Sequence, residues 1–276
     1  FRRCAYDMKI VQLEVVHVGR RVDSPQRAVY LQRVSRRGTR EPLRRYRLDD
    51  IARVYVPLAT VDDIVVLLVC QVRGHIKVGA AIRRRWRRLQ RRVESLDKLV
   101  DPLDGTTNYV HGLKNYCTSI ALLHEGQVVL GVVYAPEYGD CYTAIRGEGA
   151  FLNGQRLATS QVEQLDQSLI ASGFSTNARA GSVEATVFLE LLGRCQSIRR
   201  LGSAALNLCY LAAGQLDGYW ALSVKPWDVA AGILLVEEAG GLVASPDGKP
   251  INIQRPQLVT AATSALQREL IKIIGN

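Results

Sequence analysis

Two short runs, far apart in the sequence, carry the side chains best suited to chemistry. Residues 101–108 contain two aspartates, a glycine and two threonines, and residues 227–232 contain a third aspartate. Carboxylates, hydroxyls and free backbone N–H groups are what a hard divalent cation and a phosphate need together. Aspartate is rarely buried without a partner or a metal, so neither run has an obvious role in a hydrophobic core.

The first run predicts a metal site. We expect a loop, fixed by Pro102 and following a strand, in which Asp101 and Asp104 converge with the Leu103 carbonyl oxygen between them. Asp228 is the candidate third acid. Clustered carboxylates repel one another and raise one another's pKa, a cost that Mg²⁺ removes. Mg²⁺ prefers oxygen ligands and keeps several waters, which a substrate phosphate can replace.

The residues after Asp104 could bind the phosphate. If a helix begins near Gly105, its first N–H groups are unpaired and its dipole favours an anion. The Thr106 hydroxyl could orient a water for attack. Asp228 has a structural alternative, because a carboxylate that opens a helix is a common N-cap. We interpret His111 as a loop residue and Cys117 as a core residue rather than a nucleophile.

From about Lys98 onward, the hydrophobic pattern is typical of an α/β protein. A hairpin signal at His124-Glu125-Gly126 and a tight turn at Asn153-Gly154 separate strand-like segments, and longer segments have helical spacing. Strands are predicted at residues 117–123, 127–134, 140–145, 149–157, 217–222 and 258–262, and helices at 183–192, 203–213, 228–239 and 265–274.

Composition limits the class of protein. The 276 residues, 47% of them hydrophobic, suffice for one large domain or two modest ones. No apolar run approaches the roughly 18 residues that cross a bilayer, and the first residues do not lead into a signal peptide. The six cysteines have no metal-type CxxC spacing. We therefore expect a reduced, cytoplasmic protein without a membrane partner.

Charge divides the chain into two unlike parts. Residues 1–100 hold 24 of the 36 Lys and Arg but only 10 of the 26 Asp and Glu. The densest basic run, residues 83–92, contains one aromatic residue, Trp86. It could be a patch for RNA or phosphate, but a solvated helix or a disordered arm is the favoured interpretation, since no second aromatic is present for base stacking. A nucleic-acid partner is therefore not expected.

The two acidic runs match the two signatures of a known family. Residues 101–108 have the pattern Asp-Pro-Leu/Ile-Asp-Gly-Thr-Thr-Asn, and residues 227–232 have the pattern Trp-Asp-X-Ala-Ala-Gly. Residues 147–154 and 201–205 extend the similarity. From about residue 98 to its end, the chain resembles the inositol monophosphatases, in the wider family of Mg²⁺-dependent, lithium-sensitive phosphatases. Two separated signatures in the right order are a strong indication.

The resemblance implies an α/β fold, a layered αβαβα sandwich with an atypical or incomplete N-terminal portion, and a homodimer that hydrolyses inositol 1-phosphate. It implies two or three Mg²⁺ ions as cofactors and a small phosphate ester as the molecule bound. By position, Thr106 and Asp104 would be catalytic. The implied metal ligands are Asp101, the Leu103 carbonyl, Asp104 and Asp228, and the implied substrate-binding residues are Gly105, Thr106, Ala204 and Asp228.

The chain departs from the family pattern in two places. The family carries a Gly-Glu-Glu segment before the first signature, whose first glutamate binds metal and positions the water, but residues 74–89 contain no Asp or Glu. Ala221 stands where the family often has a glutamate that contacts inositol. Histidinol phosphate, fructose bisphosphate and a 3′-phosphonucleotide therefore stay open as substrates. A catalytically impaired relative that acts as a binding protein is a further alternative.

Residues 1–97 form an atypical region, rich in arginine and valine, before a catalytic region at 98–276. One hypothesis is that residues 1–97 come from an out-of-frame reading of a GC-rich gene, or are disordered. The alternative is a diverged region that supplies metal ligands differently, from Asp62, Asp63 or Glu94. A search of the other reading frames for a Gly-Glu-Glu segment distinguishes them.

Overall fold

A computed structural model describes residues 12–17, 28–34, 44–47, 97–175 and 178–275. The chain divides into two compact units, Phe1–Arg83 and Arg84–Asn276. The first unit contains an antiparallel sheet in the order β1-β2-β3, with strands β1 (Gln12–His17), β2 (Ala28–Val34) and β3 (Arg44–Arg47). The basic run at 83–92 and the candidate ligands Asp62, Asp63 and Glu94 lie outside the described residues.

The second unit begins with a six-stranded antiparallel sheet in sequence order. The Glu125-Gly126 turn joins its second and third strands, and the Asn153-Gly154 turn joins its last two; all four turn residues have positive φ. These turns were predicted from the sequence and are confirmed. The strands are β4 (Asp97–Asp104), β5 (Cys117–His124), β6 (Gln127–Ala135), β7 (Asp140–Ile145), β8 (Gly149–Leu152) and β9 (Gln155–Arg156).

A mixed five-stranded sheet follows, in the order β11-β10-β12-β14-β13. Its strands are β10 (Leu169–Gly173), β11 (Ser197–Arg199), β12 (Gly218–Ala221), β13 (Leu242–Ala244) and β14 (Leu258–Ala261). The helices of the described residues are α1 (Thr106–Val110), α2 (Val183–Leu192), α3 (Ala204–Ala212), α4 (Pro226–Glu238) and α5 (Ser264–Ile274). None of these helices is long and apolar enough to cross a membrane.

The second unit is layered. Helices α3 and α4 lie between the two sheets, and α2 and α5 cover the far face of the five-stranded sheet. Strand β12 contributes side chains to the hydrophobic cores on both faces of the five-stranded sheet, because successive side chains of a strand point to opposite faces. Tyr219 and Ala221 join the core between the sheets, whereas Trp220, fully buried, joins the core beneath α2 and α5. The predicted layered α/β fold is confirmed. Residues 97–275 form four layers, in the order six-stranded sheet, helices, five-stranded sheet, helices.

A row of small residues lets α4 approach the six-stranded sheet closely. Ala121, Gly131 and Ala144 are direct neighbours on β5, β6 and β7 and share one face. A Cβ atom added to Gly131 would lie 2.8 Å from the Ala231 carbonyl oxygen on α4. One residue later, a Cβ atom on Gly232 would lie 2.6 Å from Leu208 of α3. The Ala-Ala-Gly end of the second signature therefore serves close packing on both sides of α4.

Candidate metal and phosphate site

A bulge at the end of β4 places Asp101 and Asp104 on the same face. Asp101 pairs with Ser119 of β5 and Asp104 pairs with Cys117, so β4 contains one more residue than its partner over this stretch. Three positions apart on a regular strand, the two side chains would face opposite ways, and the extra residue restores a common direction. The expected loop was wrong in this respect: the strand continues through Asp104.

The chain turns sharply after Asp104. Gly105 has a φ of 83°, and a Cβ atom there would lie 2.8 Å from the Asn115 carbonyl oxygen, so glycine fits both the backbone angle and the space. The short helix α1 begins at Thr106, so the condition on which phosphate binding was predicted is met. The exposed Thr106 hydroxyl donates a 2.9 Å hydrogen bond to the Leu103 carbonyl oxygen. The side chain of Thr106 is therefore held over the acidic end of β4.

Asp104 is held by the first turn of α3, although the two are about a hundred residues apart in sequence. Its Oδ2 atom accepts hydrogen bonds from the Ser203 hydroxyl at 2.5 Å and from the Ala205 N–H at 2.8 Å. The Ala204 N–H also donates to this carboxylate. Ser203 is at the same time the N-cap of α3, because its oxygen accepts from the Leu206 N–H. Ala204 thus lies beside Asp104.

Asp228 lies in the first turn of α4 and reaches the same site. Its Oδ2 atom accepts a 2.8 Å hydrogen bond from the Lys225 N–H. The predicted position at the start of the helix was wrong, since α4 begins at Pro226, whose fixed φ suits the first helical position. The Ser119 hydroxyl of β5 donates to the Trp227 carbonyl oxygen at 3.2 Å and ties this turn to the sheet. The Asp228 carboxyl is hydrogen-bonded to Asp101.

The electrostatics of the site show three acids in a confined space. The pKa of Asp101 is raised to about 7, chiefly by burial and also by the neighbouring charges of Asp104 and Asp228, against the lowering effect of the Leu103 N–H. Burial also raises the pKa of Asp104 and of Asp228. The hydrogen bond between Asp101 and Asp228 favours the proton on Asp101, because Asp228 is stabilised as the anion by the Lys225 N–H.

The donor set fits a hard cation. Among the residues that the structure describes, no group of three His, Cys, Asp or Glu side chains is already arranged to hold a metal ion. The carboxylates of Asp101 and Asp228 meet directly, and Asp104 lies beside them within range to raise the pKa of Asp101. The charges of Asp104 and Asp228 raise the pKa of Asp101, and the charge of Asp228 raises the pKa of Asp104, a repulsion that a bound divalent cation relieves.

The other predicted residues fall as follows. Cys117 is buried, and burial raises the pKa of its thiol well above the ordinary value, which excludes a thiolate nucleophile at neutral pH. His111 is the exposed residue that ends α1. Ala221 is the last residue of β12 and is fully buried against its neighbour Gly173. Cys117, Cys141, Cys195 and Cys209 are free thiols.

Sequence reasoning missed two residues that hold the site together. Ser203 supplies the hydroxyl that binds Asp104, yet the sequence marked it only as the start of a helix. The signal was present, since a serine before a helical segment favours an N-cap and its O–H remains free to donate. Ser119 lies inside an apolar strand, where a buried hydroxyl needs a partner, and the partner is the Trp227 carbonyl.

The arrangement of layers defines a layered α/β protein with three acids at one site, and comparison with known proteins identifies its family. Residues 91–276 match the model of the inositol monophosphatase family. The chain therefore belongs to the inositol monophosphatase family.

Individual relatives support this assignment. The chain is 42% identical over 160 residues to an inositol-1-monophosphatase of Mesorhizobium japonicum, covering 58% of this chain and 60% of the relative. It is 44% identical over 137 residues to Nus factor SuhB of Escherichia coli, covering 48% and 50%. The solved inositol monophosphatase of Anabaena superposes with a TM-score of 0.64 and 30% identity, over 76% of this chain and 91% of that one. The chain thus spans about half to three fifths of these two curated relatives.

Proposed function

We propose that this chain hydrolyses a small phosphate monoester with Mg²⁺ as cofactor, and that inositol 1-phosphate is its first-choice substrate. The observation that carries the proposal is the meeting of Asp101, Asp104 and Asp228 beside the turn at Gly105 and Thr106. The family membership supports the same reaction. The proposal includes a homodimer that is sensitive to lithium, as the family resemblance implies, and a cytoplasmic location, which rests on the cysteine spacing.

Each residue of the site has a proposed task. Asp101, Asp104, Asp228 and the Leu103 carbonyl would hold two or three Mg²⁺ ions. Bound Mg²⁺ supplies Lewis acidity, lowering the pKa of water and neutralising phosphoryl charge. The first N–H groups at Gly105 and Thr106 would bind the phosphate.

The Thr106 hydroxyl is suited to orient the attacking water. A hydroxyl has one donor and two acceptor sites. The Thr106 hydroxyl donates its hydrogen bond to the Leu103 carbonyl oxygen, so the hydroxyl oxygen can accept a hydrogen bond from the water. Asp104 would support the same step, because Ser203 and the first N–H groups of α3 fix its carboxylate at the end of β4.

Two features favour alternatives. Ala221 offers no carboxylate to the hydroxyls of inositol, which keeps histidinol phosphate, fructose bisphosphate and a 3′-phosphonucleotide as second candidates. Residues 74–89 contain no acidic residue to take the place of the family's upstream glutamate. A relative that binds a phosphate ester or a protein partner without efficient turnover is therefore the second candidate function. The name Nus factor of the Escherichia coli relative is consistent with such a role.

We expect the chain to release phosphate from inositol 1-phosphate in the presence of Mg²⁺, and to lose this activity when EDTA removes the metal. The assay compares inositol 1-phosphate with the three alternative esters. Thermal unfolding is followed in parallel with and without Mg²⁺. Stabilisation by Mg²⁺ without turnover of any ester would favour the impaired relative. If Mg²⁺ does not stabilise the protein and no ester is hydrolysed, the proposal is refuted.

Thr106 offers a test of the proposed water-orienting hydroxyl. Thr106→Val keeps the shape of the side chain but removes the hydroxyl, and kcat should fall by roughly 100-fold or more, the scale of a lost proton-transfer group. Thr106→Ser keeps the hydroxyl and should stay within about tenfold of wild type. Tm should change little in both variants, since the side chain is exposed. Equal kcat values for the valine and serine variants would contradict the assigned role.

A further inference from the structure

A buried amide connects α1 to the segment before α3. Asn108, in α1, is 8% exposed. Its Nδ2 atom donates to the Asn115 carbonyl oxygen at 2.7 Å and to the Leu201 carbonyl oxygen at 2.8 Å. Both acceptors are backbone atoms, and one side-chain nitrogen supplies both protons. Asn108 therefore joins three segments of the chain at one atom.

A second amide and a phenol complete the connection. The Asn115 Nδ2 atom donates to the Leu201 carbonyl oxygen at 2.9 Å, so this carbonyl accepts from both asparagines. The Asn115 Oδ1 atom accepts from the Tyr210 hydroxyl, on α3, at 2.7 Å. Networks of this kind rigidify a buried region when each member is satisfied. We name the four residues Asn108, Asn115, Leu201 and Tyr210 the amide network.

The amide network spans the two elements that meet at Asp104. Asn108 lies two residues after Thr106, and Leu201 lies two residues before Ser203, which donates to Asp104. Between Leu201 and Ser203, a Cβ atom on Gly202 would lie 2.8 Å from the Asn108 Nδ2 atom. The backbone before α3 thus rests directly on the Asn108 amide. Any shift of this amide would move the start of α3, and with it the hydrogen bonds that hold Asp104.

We infer that Asn108 is a positioning residue that fixes the start of α3, and therefore Ser203 and Asp104, at a set distance from Thr106. The side-chain chemistry is specific. Asparagine has two N–H donors at this length, whereas aspartate has none, serine has one and glutamine is longer by one methylene. The predicted effects on Mg²⁺ binding and on kcat rest on the proposed function, whereas the positioning role itself does not.

Hydrogen–deuterium exchange of the 276-residue chain tests the positioning role directly. In Asn108→Ala, amides at 203–206 should exchange about tenfold faster, because the first turn of α3 loses its fixed support. Tyr210→Phe leaves both Asn108 hydrogen bonds in place and should give a smaller increase at the same amides. Ser182→Ala removes the N-cap hydrogen bond of α2 and serves as the matched control. It should lower Tm without changing exchange at 203–206.

Metal binding and kinetics provide two further measurements. In Asn108→Ala, the Mg²⁺ concentration that half-saturates thermal stabilisation should rise by about tenfold, the scale of losing support for a metal ligand. The kcat value should fall while KM changes little, and Ser182→Ala should alter neither the half-saturation nor kcat.

Unchanged exchange at 203–206 in Asn108→Ala would overturn the inference. If that variant does not fold, unchanged exchange at the same amides in Tyr210→Phe would overturn it instead. If the wild-type protein shows no turnover, the proposed function is refuted but the positioning role is not, because exchange at 203–206 tests that role independently.

Discussion

Asp101→Asn should abolish metal-dependent phosphate release and at the same time raise the Tm of the metal-free protein at pH 8. Activity should fall by about 100-fold or more, since even the loss of residues that only support metal ligands costs roughly 10- to 100-fold. The introduced amide would be neutral, would keep the acceptor for the Leu103 N–H and would offer a donor to Asp228. The variant therefore loses a ligand while the repulsion among the three acids is reduced.

The pH dependence of this gain has a defined sign. The pKa of Asp101 is raised from 3.8 to about 7 in the folded protein. The protonated carboxyl therefore supports the fold fully below about pH 4, and this support is lost as the pH rises through about 7. Asparagine does not titrate, so the Tm of the variant should exceed that of wild type at pH 8 and approach it near pH 5. Both proteins are measured in EDTA.

Asp247→Asn is the matched control. Asp247 is exposed, and its ion pair and hydrogen bond with Lys249 lower the pKa of its carboxyl, the opposite direction from Asp101. Its replacement should leave activity unchanged and should leave or slightly lower the Tm at pH 8. If Asp101→Asn instead lowered the Tm equally at pH 5 and pH 8, the three acids would not be destabilising one another, and the argument for a cation among them would fail.

Local patterns predicted much of the fold of residues 97–275. The turns at Glu125-Gly126 and Asn153-Gly154 were found because the left-handed backbone angles of tight turns favour glycine and asparagine. Helix α2 begins and ends where its spacing predicted, at Val183 and Leu192. Such elements are encoded by neighbouring residues, so a single sequence contains their signal.

The site could be predicted only in part. The three acids were found because aspartates without a role in the core stand out in a sequence. The bulge that turns Asp101 and Asp104 the same way was missed, since it depends on the register with β5. The hydrogen bond from the Asn108 side chain to the Leu201 carbonyl oxygen was also missed, because it joins residues 93 positions apart. Partners at that distance are determined by how α1 and α3 pack, which no local pattern reports.

Gly131→Ala should destabilise the protein by about 1–3 kcal/mol, the usual cost of overpacking a core. Its added methyl would lie 2.8 Å from the Ala231 carbonyl oxygen and 3.0 Å from the Ala231 Cα atom. Both are backbone atoms, so no side-chain rotation can relieve the contact, and α4 must move away from the sheet. Urea unfolding of the 276-residue chain measures the loss of stability.

Gly193→Ala is the matched control, because it adds the same methyl group where space and backbone allow it. Gly193 has a φ of −83°, and the nearest atom to an added Cβ lies 3.8 Å away. Restricting the unfolded chain should make this variant as stable as wild type or more stable by up to about 1 kcal/mol. Equal stability changes in the two variants would show that α4 does not lie as close to β6 as the structure places it.

The Gly131 variant should also weaken Mg²⁺ binding, although residue 131 bears no ligand. Asp228 lies in the first turn of α4, whereas Asp101 and Asp104 belong to β4 in the sheet. A helix displaced from the sheet separates the third acid from the other two, so the half-saturating Mg²⁺ concentration in thermal unfolding should rise. It should stay at the wild-type value in Gly193→Ala. The small residues of the sheet and of the second signature are thus as necessary to the site as its carboxylates, because they set the distance over which those carboxylates meet.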